Sequence, residues 1–262
     1  MYPSGYKANK IYCFKPTNGS GDLDFTRAST ATRVNSNGLI ESVATGVPRI
    51  DYSNGCGEFL LEPQRTNAAL YSNDLSNAAW IKTFTTITSN AATSPDGTNN
   101  ANKIVETTDN NLHRAGQGSI AVTSGQVYTF SFYAKAGERT ELEIQRINTS
   151  GTVFNSINTT TVDLILGTLS VGSNVTSSSI NSVGNGWYRI SLSLTAIATG
   201  SGGLNIGMQK DGNVSYLGDG TSGVFIYGFQ AEQGSYATSY IPTTTTAVTR
   251  VLDIAGKSGI SS

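Results

Sequence analysis

Acyl-transfer catalysis by serine, histidine and carboxylate would have to use His113, the single histidine of the 262-residue chain. It stands in Asp109-Asn-Asn-Leu-His-Arg114, with no Gly-x-Ser-x-Gly turn to present a nucleophile. Its polar neighbours predict a surface-loop histidine. Zinc chemistry is poorly supplied too, because one histidine with Cys13 and Cys56, far apart in sequence, cannot complete a usual site without carboxylates. The two cysteines read as buried free thiols rather than a disulfide, with pairing left open. Glycoside hydrolysis needs only two carboxylates about 5–10 Å apart. Glu141 and Glu143 share one strand face, and Glu62 or Glu232 could join them. Alternate outward glutamates are also what a solvated strand carries, so no catalysis is expected. Gly200-Ser-Gly-Gly203 and Gly218-Asp-Gly-Thr-Ser-Gly223 lack the lysine and following helix of a phosphate loop and read as turns.

Sugar binding asks for different chemistry. Sugars offer apolar C–H faces and hydroxyl edges, which suit aromatic rings beside planar polar groups. Tyr133, Gln145, Trp187, Arg189 and Gln209 supply that mixture on the outward side of their strands, provided those strands share one sheet. An outward tryptophan calls for a reason. Either Trp187 belongs to such a site, or it packs under a loop beside the Gly186 turn. Trp80 reads as a core or sheet-edge anchor. Asp96-Gly97, Asp211-Gly212 and Asp219-Gly220 are good turn dipeptides.

The elements that position these residues are strands. Ser and Thr make up about a quarter of the chain, 37% of residues are hydrophobic and only 13% are charged. Val127–Lys135 alternates, with Tyr128, Phe130, Phe132 and Ala134 on one side and Thr129, Ser131, Tyr133 and Lys135 on the other. Trp187–Thr195 does the same, placing Tyr188, Ile190, Leu192 and Leu194 inward. Leu204–Gln209, Glu141–Gln145 and Gly223–Gln230 complete the clear set. Period-two alternation predicts antiparallel sheets with one face on a core, arranged as a sandwich rather than a closed barrel. The fold class is all-β.

Before them come shorter pieces. Asn37-Gly38 predicts a type I′ hairpin, which needs positive φ at both central residues. Arg27, Arg33, Arg49 and Arg65 have a matching supply of acids in Asp24, Glu41, Asp51, Glu58 and Glu62, which predicts ion pairs tying short hairpins together. Val248-Thr-Arg-Val251 is similar to Thr32-Arg33-Val34, and both read as edge strands. With 17 basic and 18 acidic residues the chain has little electrostatic drive toward nucleic acid. No apolar run is long enough to span a bilayer. The start, Met1-Tyr-Pro-Ser-Gly5, lacks signal-peptide features and predicts synthesis in the cytoplasm. The five Asn-x-Ser/Thr sequons follow from composition.

Leu23-Asp-Phe-Thr-Arg-Ala-Ser-Thr-Ala-Thr-Arg-Val-Asn-Ser-Asn-Gly-Leu-Ile40 resembles a motif of bacteriophage tail and virion structural proteins. So do Val47-Pro-Arg-Ile-Asp-Tyr52 and Leu60-Leu-Glu-Pro-Gln-Arg-Thr-Asn67. The likeness continues through Tyr128–Ala136, Gly186-Trp-Tyr-Arg189 and Phe229–Pro242. In that family such segments precede a jelly roll similar to a carbohydrate-binding module. The resemblance implies a tail or anchor at 1–22, a β-hairpin segment at 23–68, a jelly roll at 69–242 and a C-terminal extension at 243–262. It implies a non-enzymatic virion component (capsid decoration, head fibre or tail part) located on the particle and holding host or environmental glycans. Other virion proteins would be its partners, in a homo-oligomer with a trimer favoured, and residues 1–68 would dock on the jelly roll or a neighbouring subunit. One structural Ca²⁺ accompanies many such modules, without a ligand set nameable from this sequence. The alternative is a carbohydrate-binding module of a polysaccharide-degrading system, without its own catalysis.

Overall fold

The structure, a computed structural model, describes residues 5–7, 9–12, 23–157 and 160–256. Every regular element among the described residues is a β-strand. The chain divides into two compact units: residues up to Thr66 with Thr238–Ile241 and the part from Thr249 on, and Asn67–Ala237 with Pro242–Val248.

The larger unit is built on two six-stranded sheets, antiparallel throughout. In spatial order the first runs Thr85–Thr93, Asn99–Glu106, Gly223–Gln233, Val127–Ala136, Trp187–Thr195, Val175–Gly184. The second runs Thr168–Ser170, Thr160–Asp163, Glu141–Ser150, Gly200–Gln209, Arg114–Val122, Ile81–Thr83. Successive strands swap sheets as the chain advances from Arg114–Val122 to Val127–Ala136 to Glu141–Ser150, which makes a jelly-roll sandwich.

Alternation explains the core. Phe130, Phe132, Ile190 and Leu192 from the first sheet meet Leu142, Ile144, Leu204 and Ile206 from the second, all fully buried. Each such side chain contributes about 1.5–3 kcal/mol by leaving water. Trp80 does anchor this core, with its ring edge-on to Phe229 at 5.2 Å and its indole N–H donating to the Tyr71 carbonyl at 3.1 Å. Val175–Gly184 and Thr85–Thr93 have no clear apolar alternation because they are edge strands with largely solvated faces.

The smaller unit holds the hairpins expected from sequence, Ala31–Val34 with Ile40–Val43 and Arg49–Asp51 with Glu58–Leu60. The turn at Asn37-Gly38 is not type I′. Only Gly38 of the two has positive φ, +75°, and the Asn35 side-chain oxygen accepts from the backbone N–H groups of Asn37 and Leu39. A wider loop therefore replaces the two-residue turn.

The expected ion pairs are partly rearranged. Arg33 does pair with Glu41 at 2.6 Å, and Arg49 with Glu62 at 2.7 Å. Arg27 instead meets Asp253 at 3.1 Å, and Arg49 also contacts Asp253. Arg250 reaches Glu62 at 2.9 Å. Asp51 accepts from the backbone N–H groups of Val34 and Ser53. The reason is tertiary: Ile254–Gly256 pairs with Leu23–Thr26, which brings Asp253 back to the start of the chain. Within the described residues, Pro242–Val248 groups with the larger unit and the part from Thr249 to Gly256 with the smaller one.

Candidate functional site

The five residues expected to form a sugar site do not converge. Tyr133, Trp187 and Arg189 lie on the first sheet, whereas Gln145 and Gln209 lie on the second. Trp187 is only 2% exposed, and its indole N–H donates to the Thr93 carbonyl at 3.0 Å. It packs beneath the end of the edge strand Thr85–Thr93, so the covered alternative describes it. Tyr133 is buried as well. Its ring lies against Tyr227, with centroids 5.8 Å apart, and under the Arg189 guanidinium at 5.4 Å. Gln145 accepts from Arg114 at 2.8 Å and donates to Glu143 at 2.7 Å, while Gln209 is buried opposite Glu141.

Arg189 opens on a different feature. A shallow concavity of about 350 Å³ lies over the edge of the first sheet, bounded by Ser177, Ser179, Asn181, Arg189, Ser191 and Tyr236. The edge strand Val175–Gly184 and its neighbour Trp187–Thr195 place these groups by alternation: Ser177, Ser179 and Asn181 stand opposite Ser193, Ser191 and Arg189 in register. Their hydroxyls are already aligned, with Ser179 and Ser191 oxygens 2.8 Å apart and Ser177 donating to Ser193 at 2.9 Å. Ser177 and Ser193 also donate to the Ser235 carbonyl, which fixes the segment carrying Tyr236. The Tyr236 ring remains 51% exposed.

Beside Arg189 the Tyr133 and Tyr227 rings lie tilted against each other on neighbouring strands. Arg189 donates to Ser131 at 3.4 Å, and Tyr227 beside Tyr133 donates its hydroxyl to Asp96 at 3.0 Å. Burial pushes the Asp96 carboxyl up, but hydrogen bonds from Thr98, Ser94 and Asn100 outweigh it and hold the group below the usual range. Arg189 was legible in sequence. Tyr236 and the serines of Val175–Gly184 were missed, since no periodic apolar signal marks that strand and Tyr236 follows the last long one.

The other chemistry-bearing residues have structural uses. His113 is no surface residue: it is 1% exposed, with Nδ1 at 2.7 Å from the Phe84 carbonyl and Nε2 at 3.2 Å from that of Tyr216. The pairing of Asn110–Leu112 with Ser215–Leu217 folds its loop down over it. Glu141 accepts from the Gly212 N–H, and Glu232 is buried against Gln230. Glu62 serves the arginine cluster of the smaller unit. Asp96 and Asp219 spend their oxygens on turn hydrogen bonds, from Thr98 and Asn100 and from Thr221 and Ser222. Among the described residues no group of three or more His, Cys, Asp or Glu side chains is placed to hold a metal ion. Cys56 is free and exposed rather than buried, in the six-residue loop 52–57 between two short strands, while Cys13 lies outside the described residues.

Fold and site together define a jelly-roll β-sandwich with a hydroxyl-lined concavity on one sheet. No protein-family model matches the chain, and no curated protein matches it. Among solved structures it is similar to the CBM22-1 xylan-binding domain of Paenibacillus barcinonensis Xyn10C, at 11% identity and a TM-score of 0.37, over 66% of this chain and 94% of that one. It is also similar to a carbohydrate-binding module, CBM6cm-2, of Cellvibrio mixtus lichenase 5A in complex with cellotriose, at 8% identity and a TM-score of 0.33, over 67% of this chain and 99% of that one. Superposition at this level is loose, and no residue correspondence follows from it.

Proposed function

We propose that the chain is a glycan-binding module without catalysis of its own, and that the concavity beside Arg189 and Tyr236 holds the sugar. The observation that carries this reading is the half-exposed Tyr236 ring standing next to a floor of ordered hydroxyls and one guanidinium. An aromatic face stacks on the C–H side of a sugar ring, while hydroxyls and planar donors match its edge. The site is shallow, so single-site affinity is weak and useful retention comes from several copies acting together. A glycan array probed with multivalently displayed protein tests it. Tyr236→Ala and Arg189→Ala each lower the signal at least tenfold if the reading holds, and unchanged binding by both overturns it.

The virion role has a narrower support. The segments Leu23–Ile40, Val47–Tyr52 and Leu60–Asn67 resemble those of bacteriophage structural proteins, and a particle would supply the copy number that weak sites require. Native mass measurement of the full chain tests the trimer that this reading favours, and a monomer at all concentrations removes that support.

A further inference from the structure

Alternation along Arg49–Asp51 turns Arg49 and Asp51 inward, where both are buried, and leaves Ile50 and Tyr52 partly exposed on the other side. Arg33 stands opposite Glu41 in the neighbouring hairpin. The Tyr52 N–H donates to the Val34 carbonyl at 3.0 Å, which holds the two hairpins side by side. An open concavity of about 520 Å³ lies against Arg33, Asn35, Ser36, Glu41, Ile50 and Tyr52. All of these belong to the smaller unit, and none lines the concavity at Tyr236.

The walls are ordered, yet two donors in them are uncommitted. Glu41 takes Arg33 Nε at 2.7 Å, Arg33 Nη2 at 2.6 Å and the Asn35 amide at 3.0 Å. The Asn35 bond foremost, with Arg33, holds the Glu41 carboxyl below its usual range against partial burial, so this group only accepts. Arg33 Nη1 and the Tyr52 hydroxyl have no hydrogen-bond partner among the described residues, and neither atom is buried. Gly57 fixes the apolar part: a Cβ there would stand 2.9 Å from Tyr52 Cζ and 3.0 Å from Ile50 Cγ2, so ring and aliphatic chain adjoin.

That set of groups favours one chemistry. Arg33 and Glu41 balance in charge, which disfavours an ion. Ile50 with the Tyr52 ring is an apolar patch for which hydroxyls alone are a poor match. Two free donors suit one carbonyl oxygen with its two lone pairs, and the Glu41 carboxylate suits an N–H. A secondary amide ending in a methyl group meets all three demands.

We propose that this concavity binds acetamido sugars. The amide carbonyl accepts from Arg33 Nη1 and the Tyr52 hydroxyl, the amide N–H donates to Glu41, and the methyl group lies on Ile50 and the Tyr52 ring. That the amide is carried by a sugar rests on the glycan-binding reading above; the amide itself rests on these residues alone.

The test is NMR titration of the ¹⁵N-labelled full chain with N-acetylglucosamine and N-acetylgalactosamine, against glucose, galactose and a peptide carrying Nε-acetyl-lysine. The Arg33 Nε–H and Tyr52 backbone signals shift at millimolar acetamido sugar, in the unsubstituted chain and in Tyr236→Ala alike. The other three ligands bind there at least tenfold more weakly. Tyr52→Phe keeps the ring and loses the hydroxyl, and weakens the response about fivefold, the worth of one hydrogen bond. Unmoved Arg33 and Tyr52 signals overturn the site, and so does an equal response to glucose. Acetyl-lysine peptide binding as tightly as the sugars overturns the sugar assignment. Shifts confined to the surroundings of Tyr236 overturn this site while upholding the first, and shifts confined to Arg33 and Tyr52 uphold it whatever the first one does.

Discussion

Arg27 and Asp253 meet at 3.1 Å with both side chains fully buried, although 226 positions separate them in sequence. Asp253 also accepts from Arg49 and from the Glu62 backbone N–H, so one carboxylate serves two guanidinium groups and a backbone amide between two strands. Removing one partner of a buried pair leaves the other charge desolvated and uncompensated, which costs about 3–5 kcal/mol. Asp253→Asn is therefore expected to destabilise the smaller unit by that amount in urea denaturation. A loss below about 1 kcal/mol would mean the network is solvated or dispensable.

Acid should act through the same cluster. Burial pushes the Glu62 carboxyl up, but Arg250 and Arg49 together with Ser239 more than offset this and hold it below the usual glutamate range. A depressed folded-state value stabilises the fold above the unfolded value, about 4.3, and that stability is lost as pH falls through the folded value. Stability is expected to stay level from neutral pH to about 5 and to fall below the normal glutamate range. Glu106, held low despite burial by Arg139 and Tyr216, adds to the same acid limb in the sandwich. Glu62→Gln should flatten the smaller unit's share, and an unaltered profile would assign the acid limb elsewhere.

Trp187 and Tyr236 should separate stability from binding. Trp187→Phe removes a buried indole hydrogen bond to Thr93 and part of a packed side chain, at a cost of about 1–3 kcal/mol. Glycan binding at Tyr236 is expected to persist in that variant. Tyr236→Ala should show the reverse, with a stability change within about 0.5 kcal/mol because the ring is half exposed. Loss of binding by Trp187→Phe with stability intact would return the site to the tryptophan.

The sequence by itself determined the strands that carry clean alternation. Val127–Ala136 and Trp187–Thr195 could bury Phe130, Phe132, Ile190 and Leu192 only by facing one core, and they do. Two sheets with hairpins ahead of them follow from such local periods. Which strands share a sheet is another matter, because alternation sets the face of a residue and not its neighbour. Gln145 and Trp187 both point outward, yet on opposite sheets. Outward does not mean exposed either: Trp187 and Tyr133 are covered by Thr93 and Arg189, contacts no local pattern encodes. Asp253 closes the arginine cluster only because Ile254–Gly256 returns to pair with Leu23–Thr26. Likewise Tyr236 joins Arg189 and the edge-strand serines only after the last long strand has been placed. Local chemistry dictates faces, and long-range pairing decides which faces meet, which are covered, and where a concavity remains.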